Sequence, residues 1–172
     1  MAGLTPPRAL AADDDRETFD CGRDSLNQWF RRHAWHNQQA GVSRTSIVCD
    51  PVTGAIVGYV SLCTGQIQRG FLPKARQRNQ PDPLPIILLG QLAIDRQYQG
   101  RGYARSLLWF ALTTALRLSK EVGCFGVLTH PLDDGLRQFY QRFGFEELPG
   151  DPHRGMVARM IDLERSGFGG AG

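Results

Sequence analysis

The stretch from Pro85 to Gly123, "PIILLGQLAIDRQYQGRGYARSLLWFALTTALRLSKEVG", limits what this chain can fold into more than any other. It begins as a near-continuous apolar run ending at Asp95, the pattern of a central strand covered on both faces. It ends as a long amphipathic helix stopped by Gly123. Between the two lies a turn holding two glycines, with Arg96, Arg101 and Arg105 around them. The start of a helix leaves backbone N–H groups without partners and carries partial positive charge. Glycines at 100 and 102 remove the Cβ atoms that would hold a pyrophosphate away from those amides, and Arg101 and Arg105 add side-chain charge. The familiar nucleotide motifs fail on spacing. GxxxxGK[ST] is absent, and Arg105 occupies the third glycine position of GxGxxG. The bland alternative is a helix that simply starts with glycines.

The rest of the chain supplies partners for that strand. "PRAL" after Pro7 reads as a short first strand, and "DSLNQWFRRHAWHNQQAG" as a helix capped by Asp24 or Ser25 and stopped by Gly41. Its 3/4 spacing turns Leu26, Trp29, Phe30 and His33 to one face and leaves Arg31, Arg32 and Trp35 on others. A hairpin follows: "SRTSIVCD", a turn at "DPVTG", then "AIVGYVSLCTGQI". "QRGFLPKARQRNQPDPLP" is a long polar connection, and such loops in compact domains are often functional. After the long helix come a strand "CFGVLTH", a helix "PLDDGLRQFYQRFG" started by Pro131, and strand-like "FEEL" and "GMVARMIDL". The tail "RSGFGGAG" reads as mobile. The order α, β, β, β, α, β, α, β, β predicts an α/β or α+β fold around a mixed sheet. At 172 residues the expectation is one domain over 1–172, its core at about 8–163.

Composition bounds the functional class. Apolar residues make up 41% and charged residues 22%, an ordinary globular balance. No segment approaches the roughly 20 apolar residues of a membrane span. The N-terminus has no cationic start leading into an apolar stretch, so a cytoplasmic location is expected. Cys21, Cys49, Cys63 and Cys124 are scattered, without a CxxC pair, and read as reduced, buried residues. His33 and His36 have no further ligands nearby, so no metal is expected. The net charge is only +3, but it is unevenly spread. Ser25 to Lys120 holds twelve basic residues against three acidic ones, Asp50, Asp82 and Asp95. This points to a polyanionic partner, or to a surface that merely solubilises the fold and serves a phosphorylated cofactor.

Gln97-x-x-Gly100-x-Gly102 resembles the Q/R-x-x-G-x-G/A signature of the GNAT acetyltransferases. It follows "QLAID", precedes a long helix and is answered downstream by "LRQFYQRFGF", as in that family; the likeness spans roughly residues 8 to 163. Within the family, "FDCGRDSLNQWFRRHA", "GYVSL", "LGQLAID", "GRGYARSLL" and "FYQRFGFEELP" look like the GNAT toxins of bacterial toxin–antitoxin modules. The resemblance implies the GNAT fold, a mixed central sheet with a splayed pair of central strands flanked by helices. It implies acetyl-CoA as co-substrate, its pyrophosphate held by Gln97, Gln99, Gly100, Arg101, Gly102, Tyr103, Ala104 and Arg105. The thioester carbonyl would sit against the strand amides of Leu92, Ala93 and Ile94, where preorganised donors stabilise an oxyanion. It further implies transfer to the α-amino group of aminoacyl-tRNA, a block of translation, a ribbon-helix-helix antitoxin and a homodimer.

For the chemistry, the resemblance assigns Tyr140, in "FY-x-x-FGF", as the acid that protonates the departing CoA thiolate. A phenol near pKa 10 suits a thiolate of about 8.5. The residue-level alternative is that Tyr140 only packs beside Phe139. An α-amine titrating near about 8 needs little help from a base, whereas a lysine amine near about 10.4 would need more. The lack of a well-placed acidic base thus favours an α-amine, with Glu121, Asp133 and Asp134 read as solvated helix-end charges. Cys124, inside an expected buried strand, is a poor nucleophile for a ping-pong route. Asp133 departs from the family pattern, which often has asparagine seven residues before this tyrosine. Arg31, Arg32, Arg44, Lys74, Arg76 and Arg78 are the candidate tRNA phosphate contacts. Two alternatives remain: a GNAT enzyme acting on a small amine or a protein N-terminus, and a non-catalytic acyl-CoA-binding module.

Overall fold

A computed structural model describes residues 3–168. Residues 169–172, within the tail expected to be mobile, lie outside the described residues. The elements are β1 (Arg8–Ala9), α1 (Asp24–Trp29), a π-helical turn (Phe30–Ala34), α2 (Trp35–Ala40), β2 (Arg44–Cys49), β3 (Ile56–Ile67), α3 (Lys74–Gln77), β4 (Leu84–Ile94), α4 (Tyr103–Ser119), β5 (Gly126–Thr129), α5 (Asp134–Gln141), β6 (Glu146–Glu147), β7 (Met156–Arg159) and α6 (Met160–Arg165). The strands form a seven-stranded sheet in the order β1-β2-β3-β4-β5-β7-β6. Strand β1 pairs antiparallel with β2, β2 with β3, β5 with β7 and β6 with β7, whereas β4 and β5 run parallel. That parallel register covers Ile86 to Leu88 of β4 only, and the strand continues to Ile94 beyond it.

The chain divides into two compact units. The first comprises Met1–Cys63 and Leu89–Ala111. Its core is an aromatic stack: the Tyr59 ring lies 4.2 Å from Phe30 and nearly parallel to it, with Phe19 edge-on at 5.5 Å and Trp29 stacked at 5.9 Å. The Tyr59 hydroxyl is satisfied by donating to the Leu26 carbonyl at 2.8 Å. Gly58 of β3 is closely covered by β4 and α4. A Cβ there would meet the Ile94 side chain at 2.6 Å and the Ala93 carbonyl and Leu107 of α4 at 3.0 Å, so a larger residue would force these neighbours to shift.

The second unit comprises Thr64–Leu88 and Leu112–Gly172. Ile67, Leu72, Leu84, Ile86, Leu128, Leu148 and Val157 form its apolar cluster. Arg137 of α5 is buried here, bonded to the Glu147 carboxylate, with Nη1 donating to the Arg154 carbonyl at 2.8 Å. This matters because Arg137 lies one helical turn before Tyr140.

Four expectations need correcting. Neither Asp24 nor Ser25 caps the first helix: both lie inside α1, whose N-cap is Arg23 with no side-chain hydrogen bond. His33 is exposed and Ala34 is buried in its place, because the π-helical turn lengthens the repeat and moves the inward stripe to Leu26, Phe30 and Ala34. Helix α5 starts at Asp134 rather than Pro131, since the Asp133 side chain accepts from the Leu136 N–H at 2.8 Å and caps it. "GMVARMIDL" is a strand only as far as Arg159. It then becomes α6, where Arg159 pairs with Asp162 across the first turn.

Candidate active site

The turn after β4 is built by side-chain caps on backbone amides. Asp95 closes it at the front, its Oδ1 accepting from the Gln97 N–H at 3.0 Å and its Oδ2 from the Asp20 N–H at 3.1 Å. The Gln99 side-chain amide donates to the carbonyls of Ile94 and Cys21, at 2.8 and 2.9 Å. Gln99 therefore serves the turn through its side chain by holding the loop shut. Gly100 and Gly102 have φ of +78° and +83°, a region that L side chains rarely adopt, and a Cβ on either would meet nothing within 4 Å. Their faces are open. The Ser106 N–H bonds the Gly102 carbonyl at 3.2 Å as α4 begins, which leaves the Tyr103 and Ala104 amides without a carbonyl inside the helix.

The basic rim is partly committed to the turn itself. Arg101 Nη2 donates to the Gln97 carbonyl at 3.2 Å, and its guanidinium sits 5.4 Å from the Tyr98 ring centroid. The Tyr98 hydroxyl in turn donates to Asp50 at 2.8 Å, a bond that raises the pKa of the phenol. Arg101 is thus held in place while remaining exposed. Arg105 is also exposed on the first turn of α4. On β4, Leu92 is half-buried while Ala93 and Ile94 are buried, all three beyond the parallel register with β5.

In the second unit Tyr140 is only 5% exposed. The Phe139 and Phe145 rings each stand 5.2 Å from it, both tilted towards edge-on. Burial pushes its hydroxyl up to about 12, while a side-chain hydrogen bond with Thr129 of β5 pulls the other way. Packing and a polar tether therefore coexist at this residue. At neutral pH the hydroxyl keeps its proton. Cys124 is half-buried just before β5, and burial pushes its thiol up, the opposite of an activated nucleophile.

The candidate phosphate contacts divide by environment. Arg32 and Arg44 in the first unit, and Lys74 and Arg78 in the second, are exposed. Arg44 donates to the Gln38 carbonyl at 3.1 Å. Arg31 turns inward, donating to the Phe19 carbonyl at 2.6 Å, and Arg76 pairs with Glu146 at 2.9 Å. These two guanidinium groups are already engaged within the fold. Sequence reading missed Thr129 and Arg137, and it missed Asp151, which is buried beside His130. No local spacing marks them, because each partner lies ten or more residues away. Among the described residues, no group of three or more His, Cys, Asp or Glu is placed to hold a metal ion. No described helix is long and apolar enough to cross a membrane.

Comparison with known proteins decides the family. Residues 43–147 match the acetyltransferase (GNAT) domain. This chain is a GNAT acetyltransferase. It is 38% identical over 152 residues, 88% of this chain and 90% of the relative, to a tRNA-acetylating toxin of Mycobacterium tuberculosis. The solved structure of AtaT complexed with acetyl-methionyl-tRNAfMet superposes with a TM-score of 0.87 at 30% identity, covering 95% of this chain and 98% of the other. A mutant AtaT toxin bound to the C-terminus of the antitoxin AtaR and acetyl-CoA gives 0.78 at 27% identity, covering 95% and 97%.

Proposed function

We propose that this acetyltransferase moves the acetyl group of acetyl-CoA onto the α-amino group of aminoacyl-tRNA and so blocks translation. The observation that carries this reading is the near full-length likeness to a tRNA-acetylating toxin. Transfer is direct, without an acyl-enzyme, in keeping with the raised Cys124 thiol. The open faces of Gly100 and Gly102, with the Tyr103 and Ala104 amides, receive the CoA pyrophosphate, and Arg101 and Arg105 neutralise charge at its rim. Gln97 and Gln99 keep the turn in shape. Amides of Leu92, Ala93 and Ile94 polarise the thioester carbonyl, which typically contributes a few kcal/mol per donor.

Tyr140 supplies the proton to the sulfur. Its raised pKa keeps it protonated until thiolate charge develops, so no proton is lost before the C–S bond breaks. Exposed Arg32, Arg44, Lys74 and Arg78 give the tRNA backbone a sequence-independent, salt-sensitive hold. Arg31 and Arg76 contribute only if they leave their present partners. The remaining expectations enter on the same footing: a single domain, a homodimer, a ribbon-helix-helix antitoxin and a cytoplasmic site of action.

The deciding experiment incubates the protein with labelled acetyl-CoA and a fully charged tRNA pool. Label is expected on the aminoacyl moiety of one or a few isoacceptors, released by mild alkaline deacylation as an N-acetyl amino acid. Label on free amines or protein N-termini, with none on any charged tRNA, would replace this reading with a small-amine or protein acetyltransferase.

A further inference from the structure

The stretch "FDCGRDSLN", Phe19 to Asn27, has no part in the chemistry above, yet it is bonded to the glycine turn along its length. Both lie in the first unit. Phe19 and Cys21 anchor the stretch in the core, with Asp20 half-buried between them. Asp20 grips the turn with its backbone. Its N–H donates to Asp95 Oδ2 at 3.1 Å, and its carbonyl accepts from the Arg96 N–H at 2.9 Å. The next carbonyl, that of Cys21, accepts from the Gln99 side chain at 2.9 Å, and the same Gln99 nitrogen donates to the Ile94 carbonyl at 2.8 Å. Gly22, with φ of +88°, lets the chain pass close to Arg96; a Cβ there would lie 3.3 Å from its Nε.

The stretch is fixed in turn by the helix that follows it. Asp20 Oδ1 accepts from the Gly22 N–H and from Asn27 Nδ2, each at 2.8 Å, while Oδ2 lies 3.2 Å from Arg96 Nε. Asn27 is buried, and its Oδ1 accepts the Cys21 N–H at 2.9 Å. One turn further on, Arg31 donates to the Phe19 carbonyl at 2.6 Å. The backbone of Phe19 to Gly22 is therefore held from the helix side and holds the turn on the other. The bonds from Gly22 and Asn27 keep the Asp20 carboxyl below the usual carboxylate range, so it is charged at neutral pH.

We propose that Asp20 and Asn27 are positioning residues for acetyl-CoA: Asn27 fixes Asp20, and Asp20 fixes the turn whose amides receive the pyrophosphate. This rests on the proposed role of that turn. Glycines at 100 and 102 free the backbone to adopt many conformations, so an open turn needs a frame outside itself. Asp95 and Gln99, which shape the turn, each place one of their bonds on the Asp20–Cys21 backbone. A turn framed in this way meets an anion already ordered, whereas a loose one bears the ordering cost at every binding event. Charge alone has the opposite sign. A carboxylate on the flank of an anion site disfavours the anion, so geometry accounts for Asp20 where electrostatics does not.

The test measures dissociation constants by calorimetry for acetyl-CoA and for acetyl-pantetheine, which keeps the thioester but lacks the pyrophosphate. Neither needs the amine substrate. Asp20→Ala, at a side chain 46% exposed, opens no cavity. It should weaken acetyl-CoA about tenfold and leave acetyl-pantetheine within about twofold, although it removes negative charge beside an anion site. Asn27→Asp keeps an acceptor for Cys21 but sets a second carboxylate against Asp20, and should weaken acetyl-CoA by a similar factor. Asp20→Asn loses the charge and keeps the Oδ1 acceptor, so it should stay within about threefold of wild type, as an exposed pair with Arg96 contributes little. Unchanged or tighter acetyl-CoA binding in Asp20→Ala overturns the inference. So does an equal loss on both probes with a lowered Tm, which would make the stretch purely structural. Wild type with no preference for acetyl-CoA over acetyl-pantetheine would overturn the pyrophosphate reading and this inference with it. A preference that survives intact in Asp20→Ala overturns the inference alone.

Discussion

The glycine turn and the Tyr140 helix solve opposite problems. The turn is exposed, its shape set by backbone caps and two left-handed glycines, and its value lies in what is missing: side-chain bulk above the amides. The Tyr140 segment is buried, its shape set by packing against Phe139 and Phe145 and by the Thr129 hydroxyl, and its value lies in one retained proton. On the proposed reading, the difference means that cofactor affinity and chemistry are encoded separately in this chain. Changes in the turn should appear in KM, and changes around Tyr140 should appear in kcat.

The sharpest way to break that division is Tyr140→Phe. Removing the proton donor should lower kcat by about 10²- to 10⁴-fold, with the KM for acetyl-CoA nearly unchanged. A second readout checks that the hydroxyl is the buried one described. A phenol whose pKa is raised on folding leaves stability intact below its unfolded value near 10 and erodes it as pH climbs towards the folded value of about 12. Wild type should therefore lose about 2–3 kcal/mol of stability over that window through this group. The variant should lose correspondingly less in alkaline denaturation, and Tyr59, also raised by burial, should account for part of what remains. A variant with high kcat would remove Tyr140 from the chemistry and leave it a packing residue.

A smaller effect is expected from the turn. Gly100→Ala and Gly102→Ala each place a Cβ in open space, so no clash complicates the result. The cost is the left-handed backbone, about 1–2 kcal/mol each, or a Tm lower by roughly 2–8 °C. If the amides bind pyrophosphate, the KM for acetyl-CoA rises severalfold while kcat stays within twofold. An unchanged KM alongside the lowered Tm would make the glycines purely conformational.

The same contrast explains what could be read from residues alone. The turn was legible because its signals are local: a strand, two glycines and a helix within a few residues, with Gly100 and Gly102 both adopting positive φ. The strands of the hairpin and β4 were legible for the same reason, from alternation and apolar runs. The surroundings of Tyr140 were not, because Thr129, Arg137 with Glu147, and His130 with Asp151 are joined only by folding. The inward stripe of the first helix was misread because a π-helical turn changes the repeat without any glycine or proline to announce it. Arg31 shows the limit for charge patterns. Its place in the sequence gives the sign of the charge, but only the fold shows that its guanidinium is turned onto the Phe19 carbonyl.

Arg101 gives the smallest expected effect and the finest test of the comparison, because it adds side-chain charge to a site otherwise made of backbone. Its guanidinium is held by the Gln97 carbonyl and the Tyr98 ring, and Tyr98 is anchored by Asp50, so the charge is placed but remains in water. An exposed charge acting on a pyrophosphate is screened over about 10 Å at 0.1 M salt and about 3 Å at 1 M. Arg101→Ala should therefore raise the KM for acetyl-CoA about three- to tenfold at low salt, with the difference from wild type shrinking as salt rises. Arg101→Lys keeps the charge but loses the planar contact with Tyr98, and should fall between the two. The glycine variants should keep their deficit at high salt, because amide geometry is not screened in that way. If both kinds of variant lost their effect together as salt rose, the backbone would be contributing mainly charge, and the turn's shape would matter less than its sign.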